Sequence, residues 1–419
     1  IIVLVMLCLF ALNMRMYLAV ITAVLVYFVF FSRVPDQVAV QRLIGASQNM
    51  SLLAIPFFIL LGTLMDHTGV ARRLLKVADL MVGKLTGGLA LTNIMLSTLL
   101  GGVSASALAD SAMLTRMLVP EMEKQGYNRA FAAAVTACGS LITPIIPPGI
   151  ALIIYGLVAD VSIGKMFMAG ILPGLLCCVL LMVAAYVVSK QRGYVPAREH
   201  WPDRQEVKTT LIGAWPALFL VVAIIGGIRL NIFTPTEAGA VAVGLVIIIG
   251  FFIFKEMKVS DVSNALLDTA KSTAAVMLVI MASSVLAWIF SLEHAGDQLA
   301  TVIMNFTTNK YVFLIAVNVV LLILGMLIEG TAIMIVLVPL LMPVVLKLGI
   351  DPVHFGIVMI LNLAIGCLTP PVGTVMLLVC NLAKVSVADF MRQSGLLFLA
   401  LFAALALVTL VPFFSLGLL

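Results

Sequence analysis

The sequence predicts an all-α, polytopic membrane protein whose halves are inverted copies, each carrying a re-entrant helical hairpin and a broken helix. Three observations predict it. Of 419 residues, 63% are hydrophobic and 10% charged, and the mean hydropathy is +1.23, which leaves too little polar surface to cover a soluble globule of this length. Two stretches then recur: Met65-Asp66-His67-Thr68-Gly69 returns as Leu292-Glu293-His294-Ala295-Gly296, and Gly102–Gly126 aligns without a gap on Gly325–Gly349. The aligned stretch shares Gly102/Gly325, Ala109/Ala332, Leu114/Leu337, Leu118/Leu341, Pro120/Pro343, Lys124/Lys347 and Gly126/Gly349. Roughly two or three identities would arise by chance in so apolar a composition, so seven mark an internal repeat. A Thr-Pro landmark follows each copy, Ile142-Thr143-Pro144 with Pro147-Pro148-Gly149 and Leu368-Thr369-Pro370-Pro371 with Gly373.

The third observation is the placement of charge. With the polar linker Lys190–Lys208 taken as cytoplasmic, the inner side receives 17 of the 24 Lys and Arg, among them Arg72, Arg73 and Lys76. The outer side receives six, Arg33, Arg42, Lys165, Arg229, Lys310 and Lys347, with Arg116 left inside a hairpin arm. This positive-inside bias puts His67 inside and His294 outside, so the copies are upside down relative to each other. It also accounts for the net charge of +5 as topology rather than as attraction to an acidic partner.

The elements follow in order. The first apolar run, 12 residues before Asn13-Met14-Arg15, is shorter than the roughly 20 helical residues a bilayer core needs. It is half a helix or the remainder of a segment whose start is missing, and it has neither the charged leader nor the cleavage site of a signal peptide. Spans are expected near 14–31, 51–66, 128–159, 166–189, 211–229, 233–254, 272–292, 353–383 and 388–416. The runs 85–123 and 310–346 are each long enough to enter the membrane and return, with small residues at the turn: Gly101-Gly102-Val103-Ser104-Ala105-Ser106, and Gly325 onward to Glu329-Gly330-Thr331. A re-entrant hairpin fits each better than two full spans, because Gly and Ser let the tip backbone approach a bound species. Val70–Val82 and Asp297–Phe306 look amphipathic and interfacial. The six cysteines all lie in apolar segments without metal-ligand spacing and are read as small core residues. No GxxxxGK[ST] loop is present, so the chain does not itself use ATP.

Hairpin tips and broken helices leave backbone amides and carbonyls unpartnered at membrane depth, tolerable only where they line a cavity or hold an ion. Oxygens suit a small cation, and amides at a helix start suit a carboxylate. The first copy offers Ser104, Ser106, Ser140 and Thr143, and the second Glu329, Gly330, Thr331, Gly366 and Thr369. The tip serines serve either helix packing or a ligand; the matched Gly102 and Gly325 favour the ligand. Thr143-Pro144 and Thr369-Pro370 are plain kinks or unwound helix beside a site, and one per copy favours the second. Asp110 and Glu329 are functional or simply paired, Asp110 with backbone or Arg116. Glu237, in Thr234-Pro235-Thr236-Glu237, caps a helix start, and His67 and His294 mark turns at the membrane edge.

Four motifs in order resemble the large membrane subunit of tripartite ATP-independent periplasmic (TRAP) transporters. They are Gly102-Val103-Ser104-Ala105-Ser106-Ala107-Leu108-Ala109-Asp110, Pro144-Ile145-Ile146-Pro147-Pro148, Phe233-Thr234-Pro235-Thr236-Glu237-Ala238-Gly239-Ala240-Val241-Ala242 and Gly366-Cys367-Leu368-Thr369-Pro370-Pro371-Val372-Gly373. The likeness runs from about Leu52 to the C-terminus. It implies an elevator-type, sodium-driven importer of an organic acid (sialic acid, a C4-dicarboxylate or a sugar acid) in a bacterial inner membrane. Its partners would be a small four-helix membrane subunit and a periplasmic substrate-binding protein, with sodium as coupling ion, no organic cofactor, no enzymatic activity and no nucleic acid.

Carried onto this chain, the resemblance implies one sodium site at Gly102, Ser104, Ser106 and the Ser140–Thr143 stretch. Its counterpart would use Gly325, Glu329, Gly330, Thr331, Gly366 and Thr369. The carboxylate substrate is expected between the tips, against Ser104, Ala105, Asp110, Pro148, Thr331, Pro371 and Gly373. A moving unit would comprise 67–165 (hairpin 85–123, broken helix 128–159) and 293–385 (hairpin 310–346, broken helix 353–383). The scaffold would comprise 1–66 and 166–292, the latter with the cytoplasmic linker 190–210, followed by a C-terminal helix in 386–419. Two other readings stand beside this one: a stand-alone symporter or antiporter of the same architecture, and an intramembrane hydrolase using Ser104 with a histidine, against which the HExxH pattern is missing and His67 and His294 sit at expected membrane edges.

Overall fold

The computed structural model describes residues 2–419 other than 13, 15, 32, 33, 66, 105 and 199. Its helices fall into two repeats set among long spans. The N-terminal group is α1 (Ile2–Ala11), α2 (Met16–Phe30), α3 (Asp36–Ser47) and α4 (Ala54–Met65). The first repeat follows as α5 (Val70–Val82), α6 (Gly88–Gly101), α7 (Ala107–Lys124), α8 (Arg129–Ser140), α9 (Ile150–Val158) and α10 (Ile163–Arg192). Then come α11 (Arg204–Arg229), α12 (Pro235–Ile248) and α13 (Val259–Leu292). The second repeat is α14 (Ala295–Phe306), α15 (Lys310–Leu327), α16 (Gly330–Lys347), α17 (Pro352–Gly366), α18 (Thr374–Ala383) and α19 (Val387–Leu410), closed by the single turn α20 (Phe413–Leu416).

Local chemistry sets the matching boundaries of the copies. Asn128 accepts hydrogen bonds from the amides of Ala130 and Phe131, and Asp351 from those of Val353 and His354, so each broken helix starts on an Asx cap. The starts of α8 and α17 differ by 223 residues, as do those of α7 and α16, which is the register of Gly102 and Gly325. In that register Pro147-Pro148 falls on Pro370-Pro371, both joined by cis peptide bonds. Thr143 therefore corresponds to Gly366, and the two Thr-Pro pairs that look alike in sequence are three residues out of step.

The packing shows how the copies are inverted. Beyond its break, the first broken helix leaves its own hairpin and packs α9 on α16, while α18 of the second copy packs on α7. The ends are tied reciprocally: the Tyr155 hydroxyl donates to the Pro352 carbonyl at 2.6 Å, and Arg129 Nε donates to the Ala383 carbonyl at 2.7 Å. Each broken helix thus runs beside one hairpin in its first half and the opposite hairpin in its second, so the hairpins approach tip to tip from opposite faces. At about 1.5 Å per residue the 14-residue α6 is too short to cross a core of roughly 30 Å. With 18 residues each, α15 and α16 are long enough to cross, yet their joint at residues 328–329 lies beside the central cavity described below.

Seven helices among the described residues, α10, α11, α12 with its π-helical extension, α13, α15, α16 and α19, are long and apolar enough for a membrane span, and α3 and α4 form a further pair bent by 52°. The amphipathic segments are helical as expected, α5 over Val70–Val82 and α14 over Ala295–Phe306. Three boundaries differ from the sequence reading. The run expected at 272–292 begins at Val259, where Asp261 accepts from the Lys258 amide. The span expected at 388–416 breaks after Leu410, where Pro412 opens the separate turn. Residues 36–47 form α3, which packs along the outer half of α13, the Arg42 guanidinium lying over the Trp288 ring.

Between helices in lipid, close packing and polar ties do the work that hydrophobicity does in water. Asn93 donates to Thr136 at 2.7 Å across α6 and α8, and Asn362 donates to Asn318 at 2.9 Å across α17 and α15. Such ties average about 0.6 kcal/mol. Cys138, Cys177, Cys178 and Cys380 are buried as expected, but Cys8 is exposed and Cys367 borders the cavity.

Candidate functional site

Both hairpin tips and both helix breaks border one cavity of about 260 Å³. Its wall contains the starts of four helices: Ser106 and Ala107 of α7, Ile150 of α9, Gly330 and Thr331 of α16, and Thr374 of α18. Leu141, Pro144 and Cys367 come from the breaks, and Met334, Ile360 and Leu363 supply apolar wall. One lining residue, Val276, belongs to neither hairpins nor broken helices; it lies on α13, five residues past Lys271, in the apolar part of that helix.

The tips are shaped by capping. Ser106 has extended backbone and its Oγ accepts from the Ala109 amide at 3.3 Å, starting α7, while Ser104 Oγ accepts from the Ser106 amide. Glu329 plays the same part for α16, its carboxylate accepting from the Thr331 amide and, at 2.5 Å, from the Thr331 hydroxyl. Each cap uses one amide of its first turn; the rest of that turn carries the positive end of the helix dipole.

Several expected site residues stand behind this wall rather than on it. Ser104, Asp110, Ser140 and Thr143 are buried, and Thr143 donates to Asp110 at 2.7 Å, tying the first break to α7. Arg116, weighed as a partner for Asp110, is exposed. The Ser140 hydroxyl donates to the Thr136 carbonyl within α8, and the Thr369 hydroxyl, just past the end of α17, to the Ile365 carbonyl. Gly325 and Gly366 meet backbone to backbone behind the second tip, whereas Gly102 faces Val221 of α11. Pro148 and Gly373 are buried, Pro371 is exposed, and none of the three lines the cavity. Ala105 lies outside the described residues. Of the expected ligands, Ser106, Glu329, Gly330 and Thr331 meet in one place.

The lining residues that the sequence reading missed are chiefly the starts of α9 and α18. Their signal was present: Gly149 and Gly373 follow the double prolines by one and two residues, which marks where each second half-helix restarts. Neither tip serine is hydrogen-bonded to a histidine among the described residues; His354 pairs with Ser415, and His67 and His294 are exposed.

Comparison with known proteins agrees with this architecture. The chain is 40% identical over 378 residues to the sialic acid TRAP transporter large permease protein SiaM of Vibrio cholerae, covering 90% of this chain and 88% of that protein. It is 34% identical over 377 residues to the C4-dicarboxylate TRAP transporter large permease protein DctM of Pseudomonas aeruginosa, with 90% and 88% covered. In fold it resembles the crystal structure of the Alcanivorax borkumensis YdaH transporter, with a TM-score of 0.70 at 14% identity over 96% of this chain and 98% of that one. These relatives are named as permeases, not enzymes, which disposes of the hydrolase reading. With residues 1–414 matching the DctM component of the tripartite ATP-independent periplasmic transporters, the chain belongs to that family of inner-membrane large permeases.

Proposed function

We propose that this large permease imports an organic acid, driven by sodium and fed by a periplasmic binding protein together with a small membrane subunit. The observation that carries the reading is the convergence of four helix starts on one cavity. Each start carries roughly half a positive charge, so a carboxylate there meets its counter-charge without a buried Lys or Arg, although at α18 the Val375 and Met376 amides already donate to the Cys367 carbonyl. The opposite ends of the broken elements, at Gly102, Ser140–Thr143, Gly325 and Gly366, present carbonyls, which with the hydroxyls of Ser106 and Thr331 and the Glu329 carboxylate suit sodium. Sodium bound beside the tips would hold them in the shape the anion needs, which couples the two ligands.

Val276 supports a moving-unit mechanism. The rest of the lining comes from the hairpins and broken helices, so a body made of residues 67–165 and 293–385 could slide along α13 and carry its cavity with it. The relatives' names span sialic acid, C4-dicarboxylates and the sulfonate isethionate, so the shared requirement is an acid anion, and the apolar wall of Met334, Ile360 and Leu363 borders whatever the acid carries beyond it.

The test is uptake into proteoliposomes holding the permease and its small subunit, with the binding protein outside and a sodium gradient imposed. Ser106→Ala and Thr331→Ala should abolish sodium-dependent uptake while leaving the purified protein folded. Uptake unchanged by either substitution across several sodium concentrations would remove those hydroxyls from the mechanism, and uptake indifferent to sodium altogether would refute the coupling.

A further inference from the structure

A second feature lies far from the cavity, on the face that carries the Lys190–Lys208 linker. Arg72, Arg73 and Lys76 project from α5 into a notch of about 400 Å³ shared with Thr209, Thr210 and Gly213 of α11 and with Glu256. Two of the three cations share a single anion: Arg72 and Arg73 both reach Glu256, at 2.5 and 2.7 Å. Lys76 has no ion-pair partner among the described residues, so the notch keeps a net positive charge of about two after Glu256 is counted. Arg73 is held in place, its guanidinium over the Phe254 ring at 3.6 Å and hydrogen-bonded to the Gly69 carbonyl. Arg72 reaches Glu256 from the solvent side, with 72% of its side chain exposed.

The surroundings narrow the ligand. Gly213 leaves the floor open, since a methyl there would meet nothing within 4 Å. Along the same helix toward the membrane interior, Ile212, Trp215 and Phe219 are all exposed, a lipid-facing apolar strip that begins at the notch. A basic pocket edged by two threonines, of which Thr209 donates its hydroxyl to the Gln205 and Glu206 carbonyls, at the height of an interfacial helix and continuous with an acyl-facing strip, has the chemistry of a site for an anionic phosphodiester headgroup.

We infer that this notch binds the headgroup of an anionic phospholipid in the cytoplasmic leaflet, with Arg72 and Lys76 on the phosphate, Thr209 and Thr210 beside it, and the acyl chains along Ile212, Trp215 and Phe219. Arg73 and Glu256 set the frame and the other two cations engage the ligand. The leaflet follows from the positive-inside orientation of the chain.

The experiment titrates the purified chain in neutral detergent with phosphatidylglycerol or phosphatidylcholine and reads retained lipid by native mass spectrometry. Phosphatidylglycerol should be retained preferentially, and the double variant Arg72→Gln/Lys76→Gln should lose affinity about 25-fold, at about fivefold per surface charge. Lys271→Gln/Lys384→Gln, which removes two basic residues outside the notch, should bind as the native chain does. Gel filtration and circular dichroism establish that both variants are folded. Equal retention of the two lipids, or an unaffected double variant, overturns the proposal. Displacement of the lipid by millimolar inorganic phosphate would assign the notch to a soluble phosphate, and retention only when the small subunit is present would assign it to that partner's interface; either result also overturns it.

Discussion

Gly366, at the end of α17, lies against Gly325 of α15 so closely that a methyl on Gly366 would stand 2.7 Å from the Gly325 Cα and 2.8 Å from its carbonyl carbon. Beside this contact the Val372 amide donates to the Met326 carbonyl at 3.2 Å, pinning the second break to the second tip. The tip is therefore built on backbone approach that a Cβ forbids. Gly366→Ala should destabilise the protein by about 1–3 kcal/mol, the usual range for overpacking a tight site, and should impair uptake. Gly244→Ala, where a methyl meets nothing within 4 Å, is the helix control and should be neutral or slightly stabilising. Thermal unfolding in detergent compares them; equal melting temperatures would contradict the contact.

In the first copy the corresponding position, Thr143, uses a hydroxyl instead. It donates to the buried Asp110 carboxylate at 2.7 Å. Thr143→Val keeps the shape and removes the donor, and taking a hydrogen-bond partner from a buried polar group costs about 1–3 kcal/mol. Thr143→Ser should recover most of that loss. If Val and Ser variants unfold alike, the bond does not hold the break.

Cys367 is the one cysteine that borders the cavity, while Cys138 and Cys177 are buried. In a variant with the other five cysteines replaced, a small methanethiosulfonate reagent should modify Cys367, and transported acid with sodium should slow that reaction. Labelling at the same rate with and without substrate would move the binding site elsewhere.

At the outer surface Lys347, in the last turn of α16, reaches Asp297 of α14 at 2.7 Å and holds its carboxyl below the usual carboxylate range, the hydrogen bond being the leading cause. A carboxyl depressed by folding contributes stability that is fully present above its unfolded pKa, near 4, and is lost as pH falls through the lower folded value. Asp297→Asn should accordingly raise hydrogen exchange in α14 at pH 7. Native and variant chains should converge at pH values below the Asp297 transition, and a difference persisting there would exclude the ion pair as its cause.

Much of the architecture was written in the residues because it depends on local rules. Apolar length, the positive-inside bias, the Asn128 and Asp351 caps and the glycines repeated at 102 and 325 act within a few residues of themselves, so spans, interfacial helices, hairpins and inversion were legible. The site was legible in part, through Ser106 and Glu329 to Thr331, whose roles as helix starts follow from sequence neighbours. Repeat register at the breaks was not, since Thr143-Pro144 and Thr369-Pro370 look alike although they are offset by three positions. The tertiary structure decided what lines the cavity: α9 packs on the opposite hairpin's α16 and α18 on α7, which brings the starts of four helices together and leaves Asp110, Ser140 and Thr143 behind the wall. Those are meetings between segments far apart in the chain, set by which backbones can approach closely, and no local pattern encodes them.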